Sequence, residues 1–176
     1  SQRVYLNEAR RLKLDVRPPD VNHSRADFSV AYLQGNPVLF MGLDQVKDLT
    51  RRTINQIIWL RPFASMADFL TRVDPRRQEV ESLIRCGTFP QFGSIPALLR
   101  SLQSERWQAG QMSLFGWDPG SDGEDWPVEQ KMAAQLEILG TSLVAHPLEL
   151  ALRKITGVQI TSTVEASAMT GQRVTL

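Results

Sequence analysis

The chain's 176 residues carry 20 Lys plus Arg against 19 Asp plus Glu, and a formal charge of +1 removes strongly basic or acidic composition as a guide to partners. At 42% apolar residues it can bury a core, and its length suits one domain, or one domain with appendages. No run approaches the roughly 20 apolar residues of a membrane span, the opening residues lack the apolar centre of a secretory signal, and one cysteine beside two histidines excludes both an internal disulfide and a four-ligand zinc site.

A soluble, non-exported chain of the reducing cytoplasm is therefore expected. The even balance hides an asymmetry: residues 1–110 hold 16 Lys plus Arg and 11 Asp plus Glu, net +5, whereas residues 111–176 hold 4 and 8, net −4. Two readings fit, a phosphate-facing surface followed by an acidic, water-exposed segment, or simply a solvated surface.

In chain order, residues 4–12 read as a helix, which Arg17-Pro18-Pro19-Asp20 breaks into an extended connector, because a proline disfavours helical geometry before it. Residues 28–33 and 38–41 are short β-prone runs around Gln34-Gly35-Asn36-Pro37, which predicts a small hairpin or two short strands. From residue 43 the period turns helical. Residues 43–47 give one or two turns, Asp48-Leu49-Thr50 a tight connection, and residues 51–60 a helix with Ile54, Ile57 and Ile58 on one face and Arg51, Arg52 and Asn55 off it. Ser65 with Asp68 resembles a capping pair opening a helix over 66–71, and Asp74-Pro75 reads as N-cap and first-turn proline of a helix over 76–86, stopped by Gly87. Ile95, Leu98, Leu99 and Leu102 mark a further helix ending at Gly110. Residues 111–127, with three glycines, two prolines and four acids, read as a flexible tether. Helical period returns at 128–139, with Val128, Met132, Leu136 and Leu139 as the buried stripe, and at 148–155; a β-prone polar stretch follows from Gly157 and stops as if inside a strand, so a longer parent is expected.

Three constellations bear on function. Residues 42–60 have the layout of a helix-hairpin-helix, which binds phosphate through unpaired hairpin N–H groups and the positive end of its second helix. Lys47, Arg51 and Arg52 would add attraction, and the backbone around Leu49 and Thr50 would touch the phosphate. Asp48 and Thr50 stand where glycines suit such a hairpin, so an ordinary helical corner packed by its isoleucines is the other reading. Residues 76–92 form a second unit around Gly87, whose Cys86 reads as a small buried hydrophobe sooner than a reactive thiol. The third is Gln111-Met112-Ser113-Leu114-Phe115, an apolar pentapeptide before the acidic tether, which either hooks a partner's pocket or folds back on the chain's own helices. His146, before Pro147, reads as a capping or packing residue. No convergent carboxylates, Gly-rich phosphate loop or Ser/His/Asp set stands out, so neither a catalytic nor a metal site is expected.

Several stretches together resemble the bacterial DNA polymerase III alpha subunit, of the C-family polymerases, over nearly the whole chain. YLNEARRL with VRPPDVNHS resembles the end of its fingers, MGLDQVKDL its helix-hairpin-helix, PFASMADFLTRVD with ESLIRCGTF its second helical unit, and LEILGTSLVAHPLE its lead into an OB-fold. GQMSLFG resembles that family's sliding-clamp-binding motif, giving Gln111, Leu114 and Phe115 their roles, with Met112 and Ser113 at the variable positions. The resemblance implies a mainly α fold: a connector with a short β hairpin over 1–41, a tandem helix-hairpin-helix domain over 42–110, the clamp motif and linker over 111–127, and a helical lead-in over 128–176. It implies as partners a sliding clamp, double-stranded DNA and other domains of the parent polymerase. It places the catalytic carboxylates and their Mg2+ in a palm domain outside these residues, leaving this segment without cofactor or activity of its own. A purely structural domain that positions fingers against OB-fold is the alternative.

Overall fold

The structure, a computed structural model, describes residues 2–12, 14–104 and 124–145. By its contacts the chain divides into Ser1–Ala145 and His146–Leu176, and all described residues lie in the first unit. Helix α1 (Gln2–Arg11) buries Leu6 and Ala9, three positions apart on one face. Three strands follow, β1 (Asp15–Arg17), β2 (Ser29–Leu33) and β3 (Asn36–Phe40), in the order β1-β3-β2.

The hairpin forms as expected, but with a shorter turn. Gln34 and Gly35 have φ of 52° and 83°, the two positive values of a two-residue type I′ loop, so Asn36 and Pro37 belong to β3. Leu33 pairs with Asn36, Tyr32 with Pro37 and Ala31 with Val38. Hydrogen-bonded pairs alternate from the loop outward, which makes Tyr32–Pro37 a non-bonded pair, and the missing proline N–H costs β2 no ladder bond. On the other side β1 pairs in parallel only from Val38 to Phe40, past the proline. Strand β1 lies between the predicted helix and the connector that begins at Arg17, in a stretch given no strand reading; three residues with two charges carry no strand pattern, and pairing with the central β3 creates the strand.

Residues 20–28 stitch the sheet to the helices. Asn22 donates from Nδ2 to the Phe63 carbonyl at 3.1 Å and accepts the Phe63 N–H at 2.8 Å, and Arg61 donates to the Ser24 carbonyl at 2.8 Å. The N–H groups of Leu43 and Asp44 donate to the Arg25 and Ala26 carbonyls. Gly42 is the point of closest approach: a Cβ there would lie 2.2 Å from the Ala26 carbonyl oxygen, a clash only glycine avoids.

A 3-10 turn (Leu43–Gln45) leads to α2 (Arg51–Leu60), α3 (Met66–Val73), α4 (Arg77–Cys86) and α5 (Ile95–Ser104). Ile54 and Ile57 of α2 are buried and Ile58 packs against the same core, as the period predicts. Ser65 caps α3 by accepting the Asp68 N–H at 3.1 Å, and Phe69 of that helix lies edge-on to both Phe63 and Phe89. Asp74, expected to cap α4, instead ends α3 in the left-handed region at φ 47°, a conformation aspartate tolerates; α4 begins at Arg77. Gly87, at φ 87°, stops α4 as predicted. Cys86 is buried, its thiol directed at the Leu83 carbonyl, and desolvation pushes its pKa up to about 12.

Helix α6 (Val128–Leu139) buries Leu139 and half-buries Met132 as predicted, but otherwise turns a neighbouring face inward. Ala134, Gln135, Ile138 and Leu139 are buried, whereas Val128 and Leu136 are 41% and 39% exposed. A polar residue holds the core face because its amide is used: Gln135 donates to the Cys86 carbonyl at 3.4 Å and accepts the Leu143 N–H at 2.8 Å. Of the stretch read as a tether, residues 124–127 are described, and two of them, Asp125 and Trp126, are tied to the helices. Asp125 accepts the Ile95 N–H at 3.1 Å, capping α5 from outside it, and pairs with Lys131, while Trp126 packs on the core. The readings for 105–123 and 146–176, including His146 and the helix at 148–155, fall outside the described residues.

Candidate nucleic-acid interface

The start of α2 is built around its N-cap. Thr50 accepts the Thr53 N–H through its hydroxyl at 3.3 Å, satisfying one of the first-turn donors. Its own N–H and hydroxyl donate to Glu79 Oε1 at 2.9 and 2.7 Å. The other oxygen of the same carboxylate accepts the N–H of Arg76, the N-cap of α4, at 2.8 Å. One buried carboxylate therefore joins the starts of two helices, where the positive ends of both helix dipoles favour a negative charge. Burial alone would raise the pKa of Glu79. Hydrogen bonds from the Thr50 and Arg76 N–H groups and the Thr50 and Thr53 hydroxyls more than offset it, and the pKa lies below the usual value of 4.5.

This clamp determines what the predicted residues can reach. Arg51 and Arg52 are exposed at the start of α2, and their N–H groups are its remaining first-turn donors, with no partner among the described residues. Thr50 is half-buried, its donors turned inward to Glu79, and Leu49 packs against the core. Lys47 has an exposed side chain, but its N–H donates to the Ile138 carbonyl of α6 at 3.1 Å. Asp48 stands at φ 67°, the conformation a glycine would supply, and accepts from Gln78 of α4 at 3.3 Å.

Two further cations come with α4. Arg76 and Arg77 are exposed, and because the shared carboxylate joins the two helix starts, four exposed arginines stand at those starts, Arg51 and Arg52 on α2 and Arg76 and Arg77 on α4. Asp74 is a partial counterweight, 3.9 Å from Arg52 with both side chains more than half exposed, a separation worth little in water. Arg76, Arg77 and Glu79 are not legible as part of this site in the sequence because the link is tertiary; the one local signal is Glu79 three residues after an N-cap. Trp59, on α2 at seven residues from Arg52, is also exposed. The pentapeptide Gln111, Met112, Ser113, Leu114 and Phe115 lies outside the described residues. Among the described residues no helix is long and apolar enough to cross a membrane.

A family model described as a helix-hairpin-helix motif matches residues 13–97. The chain is 33% identical over 170 residues to the DNA polymerase III subunit alpha of Caulobacter vibrioides, a match covering 83% of this chain and 14% of that relative. It is 33% identical over 177 residues to that of Deinococcus radiodurans (82% and 12%), and 35% identical over 168 residues to that of Thermus aquaticus (82% and 13%). The matches take in most of this chain but only a small part of each relative. With the paired helix starts inside the matched helix-hairpin-helix, the chain belongs to the DNA polymerase III alpha-subunit family, as a segment of it.

Proposed function

We propose that this segment serves a bacterial replicative-type DNA polymerase as an accessory region that holds duplex DNA by its phosphates, without reading sequence, and docks a sliding clamp. The observation that carries the DNA reading is the Glu79 clamp, which gathers Arg51, Arg52, Arg76 and Arg77 around two helix starts. Exposed cations beside helix-start N–H groups suit phosphate oxygens, and they carry no base information. Lys47 stands close enough in sequence to extend the same footprint. The clamp reading rests on Gln111, Leu114 and Phe115, with Met112 and Ser113 between them, as a linear motif in which Gln111 fixes the backbone and the two large side chains fill an apolar pocket. Polymerisation itself, with its Mg2+, is assigned to residues outside this chain.

A second reading, a domain that only positions its neighbours, is favoured by one fact: Glu79 and the Ile138 carbonyl already occupy the N–H groups of Thr50 and Lys47. A salt titration against a blunt duplex separates the two. A phosphate-binding surface loses affinity steeply as salt rises, and replacing Arg51 and Arg76 by alanine is expected to reduce the log–log slope by about 0.9 for each phosphate no longer neutralised. No duplex affinity at low salt leaves only the positioning role. For the clamp, Leu114→Ala with Phe115→Ala is expected to abolish binding in a titration against the ring, with thermal unfolding unchanged; undiminished affinity refutes the motif.

A further inference from the structure

Trp59 is 88% exposed, the most open of the large apolar side chains among the described residues. It closes an outward stripe on α2 with Arg52, Asn55 and Gln56, spaced i, i+3, i+4 and i+7, on the side away from buried Thr53, Ile54 and Ile57. Together with Leu60 these four side chains line an open concavity of about 640 Å³. Helix α2 contains no acidic residue. We propose that this stripe is a stacking site for an unpaired base of single-stranded nucleic acid, with Trp59 as the platform, Arg52 on the adjoining phosphate, and the Asn55 and Gln56 amides at the base edge.

Each part of the ligand meets a matching group. A flat π face open to water is the surface on which bases of any sequence stack, and an arginine beside it neutralises the flanking phosphate. The rise of α2 separates Arg52 from Trp59 by about 10 Å, which the long guanidinium side chain shortens to the scale of one nucleotide. Arg52 is available, since Asp74 at 3.9 Å holds it loosely. Gln56 adds an independent sign: its Oε1 is buried with no hydrogen-bond partner among the described residues. Turning that amide outward offers the oxygen to the exocyclic amine of a stacked base and relieves the unmet acceptor. The site goes beyond the duplex reading, from phosphates to bases, and relies on it only for the kind of polymer bound.

The test uses the full 176-residue chain and fluorescence anisotropy with three labelled probes: a short deoxycytidine oligomer, an abasic strand of equal length, and a blunt duplex. Trp59→Ala is expected to weaken deoxycytidine binding about tenfold, the loss of one stacked base. Trp59→Phe should restore most of it, and the abasic strand and the duplex should bind Trp59→Ala as they bind the parent. Substitution at so exposed a position should leave thermal unfolding unaltered. Equal affinity of parent and Trp59→Ala for the deoxycytidine strand overturns the proposal and reassigns Trp59 to a protein contact; equal losses on the abasic strand overturn it too. Failure of the duplex reading shows differently, as absent duplex binding while the Trp59 effect on the deoxycytidine strand persists.

Discussion

Glu79 joins two helix starts through one side chain. Its carboxylate accepts from Thr50 twice and from Arg76 once, and it sits between two helix starts whose donors have no intrahelical partner. Glu79→Ala would leave three donors facing a small apolar void. Because a buried donor without an acceptor costs about 1–3 kcal/mol, and because some of these groups can relax toward water, a loss of about 2–4 kcal/mol is expected. Glu79→Gln should recover only part of it, since its amide can accept from Thr50 but turns N–H groups toward the Arg76 N–H. Urea unfolding midpoints check this, and a loss under about 0.5 kcal/mol for Glu79→Ala would remove the residue from its role. The same substitution unfastens α2 from α4, so it should weaken duplex binding without removing a cation, which no exposed arginine substitution can mimic.

At the scale of elements, what was legible in the sequence is what depends on neighbours a few residues away. The isoleucine stripe of α2, the Ser65–Asp68 cap and the Gly87 stop are local patterns, and each appears where its spacing places it. The misplaced features are those a distant partner decides. Strand β1 exists through its pairing with β3, and Asp74 yields the opening of α4 to Glu79. Helix α6 turns Gln135 inward because the Cys86 carbonyl and the Leu143 N–H need partners, so an apolar count along the helix chose Val128 and Leu136, which face water. The candidate site divides in the same way. Arg51, Arg52 and Lys47 were legible as cations beside a hairpin, whereas Arg76 and Arg77 join them only through a carboxylate 29 residues from Thr50 in sequence.

For the molecule as a whole, the shifted groups bound a pH window, because they sit where segments meet. Glu79 ties α2 to α4, and Asp125 ties the stretch before α6 to the start of α5. For Asp125, burial would raise the pKa, and hydrogen bonds from Lys131, Trp126 and Ile95 outweigh it, leaving it below the usual 3.8. A depressed carboxylate stabilises fully above its unfolded value, so this contribution is complete above about 4.5 and is lost as pH falls through the lower folded values. Cys86 acts in the opposite sense. The unfolded thiol ionises near 9.0 while the folded one holds its proton to about 12, so the unfolded state releases a proton first and stability falls as pH rises between those values. The slope approaches about 1.4 kcal/mol per pH unit from this group alone. Denaturant midpoints against pH should therefore show a plateau between about pH 5 and 8.5 with losses on both sides. Other groups also titrate above about pH 9, and Cys86→Ala isolates the thiol: the variant starts less stable at neutral pH, having given up a buried group, yet its alkaline decline should be shallower. An alkaline limb of equal steepness in parent and variant would show that the thiol does not set it.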